Sequence, residues 1–251
     1  MQCKSDISCG ETSLADSDAI HCTGEELDGL LCSRSLTRIG MGSRRACYRL
    51  PDGKHCLKCY RSEAEIEEGK YPGLVPPKPL AAGAAREIRR YRFDRSRNTC
   101  CQEFRYWFEL KNRLPPSLMQ AFPASIEMVR LPSRGWALIE ELVVNADGTP
   151  VRKFAEEWRV VTADRQRQLL SKFNVFARDL ERHAVRFYDP QTIFVQRQAE
   201  GTFRLRITDF EPESRLLVPI DAIPAITRLK VRRRFARYAR TYGFAMSEVN
   251  A

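Results

Sequence analysis

Apolar positions along this chain change their period several times, and the changes mark its elements. From residue 35 to 60 the pattern is that of extended chain. Residues 35–39 lead into Gly40-Met-Gly42, residues 46–50 leave it, Pro51-Asp-Gly-Lys54 turns and residues 55–60 return, which predicts a β-hairpin with a glycine loop at its start. Residues 62–86 are acidic at first and then rich in Pro and Gly, an irregular connector of a length that is usually functional or mobile. Residues 101–114 turn helical, with Trp107, Leu110 and Leu114 at i, i+3 and i+7 and Pro115-Pro116 closing the run. A second hairpin is predicted over 126–131 and 136–142 about the turn Pro132-Ser-Arg-Gly135, and the polar stretch 143–150 reads as a hinge between lobes.

The second half begins with the strongest helical pattern of the chain. Over residues 163–182, Leu169, Phe173, Phe176 and Leu180 share one face and charges the other, as expected of a core helix. Two short apolar strands, 193–196 and 203–208, follow with Glu200-Gly201 in the turn between them. Residues 228–240 then hold seven basic residues and no acid, with Val231, Phe235, Tyr238 and Tyr242 at i, i+4, i+7 and i+11. This predicts a basic amphipathic helix docked by its apolar stripe, with membrane-surface or anionic-substrate contact through 228–242 as the alternative.

Charge is unevenly divided. Residues 1–33 contain one lysine and seven acids, a net of −6, so the formal +10 of the whole rests on a remainder at +16. With no sustained period, residues 1–34 are expected to be an acidic tail, disordered or loosely docked. The basic body suits an anionic lipid or a phosphorylated substrate; too few aromatics are interleaved with its charges for a stacking platform, which ranks nucleic acid last.

Apolar residues at 43%, with 10% aromatics, suffice for a sizeable core. No run of 18 apolar residues exists and the start lacks the apolar stretch of a signal peptide, so a cytoplasmic location is expected, with contact at the inner membrane as an extension of it. Nine cysteines in irregular spacing are expected as reduced thiols. Cys56 and Cys59 flank Lys58 in a strand, where alternation sends them to opposite faces, Cys100 and Cys101 are adjacent, and His21, His55 and His183 are scattered, so no metal-ligand spacing emerges.

Candidate chemistry lies in two widely separated segments, Arg38-Ile-Gly-Met-Gly-Ser-Arg-Arg-Ala-Cys-Tyr48 with Leu57-Lys58-Cys59 behind it, and Leu205-Arg-Ile-Thr-Asp-Phe-Glu211. Gly40 and Gly42 would let backbone N–H groups approach phosphate oxygens closely, Lys58 on the next strand would be a cationic partner, and Asp209 at a strand end would hold Mg²⁺. Glu103 lies four residues before Trp107, in line with a buried stripe, so it either needs a cationic partner, for which Lys58 is the candidate, or is a first-turn glutamate serving the helix dipole. Glu87, whose stripe is more polar, is second.

With Glu103-Phe-Arg-Tyr-Trp107, Asp189-Pro-Gln-Thr-Ile-Phe194 and Ile207-Thr-Asp209 added in order, the chain resembles the YrbL family, described as part of the bacterial PhoP regulatory network, over roughly residues 36–242. The resemblance implies an α+β, protein-kinase-like two-lobed fold. Its small antiparallel β-rich N-lobe with one helix would span 35–144, including the insertion 62–86, and its larger, mainly helical C-lobe would span 145–251. It also implies that Gly40 and Gly42 cradle phosphate, Lys58 meets the α- and β-phosphates, Glu103 orients Lys58 and Asp209 binds Mg²⁺.

The likeness departs in the catalytic loop. Counting from Pro190, the positions of the catalytic aspartate and the metal-binding asparagine hold Phe187 and Thr192, and Phe-Glu rather than Phe-Gly follows Asp209. Asp189 is a weak substitute base and Thr192 a weak metal ligand. The expectation is therefore a kinase-like regulatory protein that binds ATP and Mg²⁺ with weak or absent phosphotransfer, a pseudokinase. The rivals are an active small-molecule or cell-envelope kinase of the lipopolysaccharide type, and a basic scaffold for anionic partners that binds no nucleotide. The protein partner or acceptor is not named by these residues.

Overall fold

The computed structural model describes residues 22–68, 82–187, 189–210 and 223–244. They form a mixed α+β arrangement of eight helices, a five-stranded and a three-stranded antiparallel sheet, compatible with two lobes. The larger sheet contains β1 (Thr37–Met41), β2 (Arg45–Arg49), β3 (His55–Tyr60), β4 (Ser125–Leu131) and β5 (Gly135–Glu141) in the order β1-β2-β3-β5-β4. Opposed residues of an antiparallel pair share a face. Ala46, Tyr48, Leu57, Cys59, Val129, Leu131, Ala137 and Ile139 therefore make one apolar face. Arg45, Cys47, Cys56, Lys58, Leu138 and Glu140 lie on the other.

The apolar face is covered by α1 (Gly24–Cys32), whose Leu27 and Leu31 join its core. Of the segment 1–34, expected to be disordered or loosely docked, residues 24–32 are instead a helix packed on the sheet, and residues 1–21 lie outside the described residues. A nine-residue helix is too short to display a sustained period, but it is specified locally. Thr23 and Glu26 form a capping box, and Glu25 and Glu26 complement the positive helix start. Asp28 then accepts from Ser133 N at 2.9 Å, tying the helix to the β4–β5 turn.

The insertion 62–86 is also more ordered than its composition implies: α2 (Glu63–Glu67) and the start of α3 (Ala82–Tyr91) fall within it, while 69–81 lie outside the described residues. Glu65 docks α2, accepting from Arg134 Nη1 at 2.6 Å and from the Tyr48 hydroxyl. Burial opposes its charge, but these donors and the Ser62 backbone hold its carboxyl below the usual range. Gly135 is required here: its φ is +80°, and a Cβ would stand 2.0 Å from Arg92 O.

The fourth helix, α4 (Thr99–Arg113), serves both halves. Its N-cap Asn98 accepts from Cys100 N at 2.8 Å, starting the helix two residues before the apolar pattern does. Glu103 faces the sheet. Tyr106, Trp107, Leu110 and Leu114 enter the core of the second half. Four helices thus accompany the first sheet where one was expected.

The second half contains α5 (Pro116–Met119), β6 (Arg152–Lys153), α6 (Phe154–Val160), α7 (Ala163–Arg182), β7 (Ile193–Arg197), β8 (Phe203–Ile207) and α8 (Pro224–Tyr242). The α7 stripe packs against α8 through Phe173, Phe235 and Tyr238. Outside, Arg233, Arg237 and Arg240 are exposed, while Arg232 meets Glu181 at 2.5 Å. Among the described residues no helix is long and apolar enough to cross a membrane.

The stretch 143–150 is tied at both ends rather than loose. Leu142 N donates to Lys54 O at 2.8 Å and Gln196 Nε2 to Val144 O at 2.7 Å, and Val144 bridges Pro150. Buried Arg206 reaches across from β8 to Glu141 at 2.6 Å.

Candidate functional site

The polar face of the large sheet meets α4 and the end of β8 in a cluster of five charged side chains. Lys58 Nζ donates to Glu103 Oε1 at 2.9 Å, lies 2.8 Å from Glu140 Oε1 and donates to Thr208 O. The register of β3 with β5 puts Lys58 and Glu140 on one face, and α4 carries Glu103 over them, with no exposed side-chain surface. Glu87, the competing candidate, instead meets Arg44 Nε at 3.0 Å.

The other Glu103 oxygen is taken by Arg45, whose Nη1 is 2.5 Å from Oε2, and Arg45 Nη2 donates to Asp209 Oδ1. One arginine of the hairpin therefore links the α4 carboxylate to the aspartate that follows β8. Burial disfavours the Lys58 charge, but Glu103 and Glu140 outweigh it and hold the ammonium well above the usual lysine value. Burial pushes the Glu140 carboxyl up to about 7 against the pull of Lys58.

The glycines take hairpin roles. Gly40 pairs with Cys47 beside a bulge in β1, and Gly42 N donates to Arg45 O at 2.8 Å, closing the turn. Below this hairpin a cavity of about 330 Å³ runs between the sheets, a size within the range of small-ligand sites. Ile39, Cys47, Val143, Val151 and Phe194 supply apolar walls, with Lys58 and Glu140 at the polar end.

The loop before β7 offers little chemistry. Phe187 is buried, with its ring against Phe235. Asp189 Oδ1 accepts from Gln191 N at 3.0 Å, capping a 3-10 turn at Pro190–Thr192. Thr192 Oγ1 donates toward Asp189 O at 2.9 Å and Asp209 O at 3.2 Å, so its one proton is committed to carbonyls. Among the described residues no group of three metal-ligating side chains converges. The Asp209 carboxylate already carries a guanidinium, and among the described residues no group of three ligating side chains gathers with it, so this donor set does not fit a divalent ion.

The four buried thiols among the described residues are chemically quiet. A hydrogen bond with Cys47, together with burial, raises Cys56; burial raises Cys59 and lifts Cys100 to about 12 and Cys101 to about 11. Cys56 and Cys59 do lie on opposite sides of β3, near Glu140 at 3.8 Å and Arg134 at 3.9 Å.

Arg45 and Glu140 escaped sequence reasoning. Glu140 left a readable trace, since alternation places it beside Leu138 on an inward face. Arg45 left almost none: Arg44 and Arg45 are adjacent, and only strand pairing says which one faces inward. No family model matches this chain and no curated protein matches it.

Proposed function

We propose that this is a nucleotide-binding protein with a protein-kinase-like arrangement of two lobes, of the YrbL type and in the manner of a pseudokinase. The observation that carries the reading is Lys58, fixed between Glu103 on a helix and the Thr208–Asp209 turn, at the polar end of an apolar slot between two sheets. A strand lysine paired with a helix glutamate, with a strand-end aspartate nearby, supports this reading, since a kinase nucleotide site is built from those three groups. The buried ring of Phe187 at the base position, and the use of Asp189 as a turn cap, favour binding over phosphoryl transfer.

Thermal melting of the full chain with increasing ATP tests this. The melting temperature rises with millimolar ATP in the wild type and stays constant in Lys58→Met. No rise in the wild type removes the nucleotide reading. The exposed Arg233, Arg237 and Arg240 of α8 favour an anionic partner or membrane surface as a second contact, read out by salt-sensitive binding to anionic vesicles.

A further inference from the structure

We propose that Arg45 does in this cleft what a divalent cation would do, so that a nucleoside di- or triphosphate binds here without Mg²⁺. The inference rests on the nucleotide reading above and deepens it. Asp209, the carboxylate that the resemblance assigns to a metal, already has a cation on it: Arg45 Nη2 donates to its Oδ1 while Nη1 holds Glu103 at 2.5 Å. Mg²⁺ needs a near-octahedral shell of oxygen ligands, and among the described residues no group of three metal-ligating side chains gathers at Asp209.

The two ends of the arginine are unequal. The Glu103 side chain has 0% exposure and that of Asp209 48%, so the Asp209 contact is the one that yields. A phosphate oxygen arriving on the exposed Asp209 side, next to the Thr208 and Lys58 end of the cavity, takes the guanidinium edge from Asp209, while Glu103 keeps Arg45 on station. Arginine suits this exchange because its planar fork pairs with carboxylate and phosphate alike. Lys58 is less available, since its three donors already face three acceptors, Glu103, Glu140 and Thr208 O. Two further guanidiniums stand by the same hairpin turn, Arg44 beside Glu87 and Arg61, whose Nη1 donates to Gly42 O at 3.4 Å. Their field also favours an anion.

The test is calorimetric titration of the full chain with ATP, in excess EDTA and in millimolar Mg²⁺, for the wild type, Arg45→Gln, Arg45→Lys and Asp209→Asn. Wild-type affinity in EDTA is expected within about threefold of that in Mg²⁺, and Arg45→Gln about tenfold weaker in EDTA, with Arg45→Lys recovering part of the loss. Asp209→Asn is expected to bind more tightly than wild type in both media, because phosphate then meets Arg45 without displacing a carboxylate. Wild-type binding that needs Mg²⁺, or Arg45→Gln binding as tightly as wild type in EDTA, overturns the inference and makes Arg45 a plug. Should Arg45→Gln not fold, Asp209→Asn decides: a loss of about tenfold in Mg²⁺ assigns the metal to Asp209 and ends the proposal. Wild-type protein that binds ATP in neither medium takes down the nucleotide reading itself.

Discussion

Glu103 and Lys58, from a helix and a strand 45 positions apart, meet at 2.9 Å with the carboxylate fully buried. Its second oxygen holds Arg45 at 2.5 Å, so one carboxylate balances two cations on the same sheet face. Charges taken out of water this far depend on each other.

Glu103→Ala leaves Lys58 and Arg45 without their shared buried partner. The expected loss is about 3 kcal/mol of unfolding free energy, the scale of breaking a buried pair from one side. Urea denaturation measures it, and a change under about 1 kcal/mol would show that α4 can be released without cost.

Glu140 makes stability depend on pH. Its carboxyl is raised from the ordinary 4.5 to about 7 by burial, so the folded state prefers the protonated form. That contribution is complete below 4.5 and is lost as pH rises through about 7. Glu140→Gln removes the titration. The wild-type stability minus the variant's should fall between about pH 5 and about pH 8, and parallel curves would contradict the raised carboxyl.

At the junction of the halves, Arg206 is buried and Glu141 is 37% exposed, so the two truncations are not equivalent. Glu141→Ala strands a buried guanidinium whose remaining partner is Gln196 Oε1 at 3.3 Å, and is expected to cost about 2 kcal/mol. Arg206→Met leaves a solvated carboxylate and costs less. Melting of both variants checks the order, and equal losses would remove the asymmetry.

Leu27→Ala tests whether α1 belongs to the fold. Leu27 is fully buried against the sheet, so the truncation is expected to cost about 3 kcal/mol. An unchanged urea midpoint would mean that the helix adds nothing to the first half.

Much of the fold was legible because its elements repeat a short period: the hairpin after Gly40, the α7 stripe and the α8 stripe all announce themselves within a few residues. Period two also placed Lys58 opposite Leu57 and Cys59. The short helices α1 and α2 were hidden, since each is specified by a capping box and one or two buried contacts, which composition does not weigh. By itself the sequence determined which residues could carry charge to the cleft, namely Lys58, Glu103 and Asp209, because their segments have readable local form. Only the tertiary structure decided that Arg45 would lie on Asp209 and Glu140 beside Lys58. Those meetings join β2 to the end of β8, and β3 to β5, and pairing across such distances is set by sheet order and helix packing rather than by any local pattern.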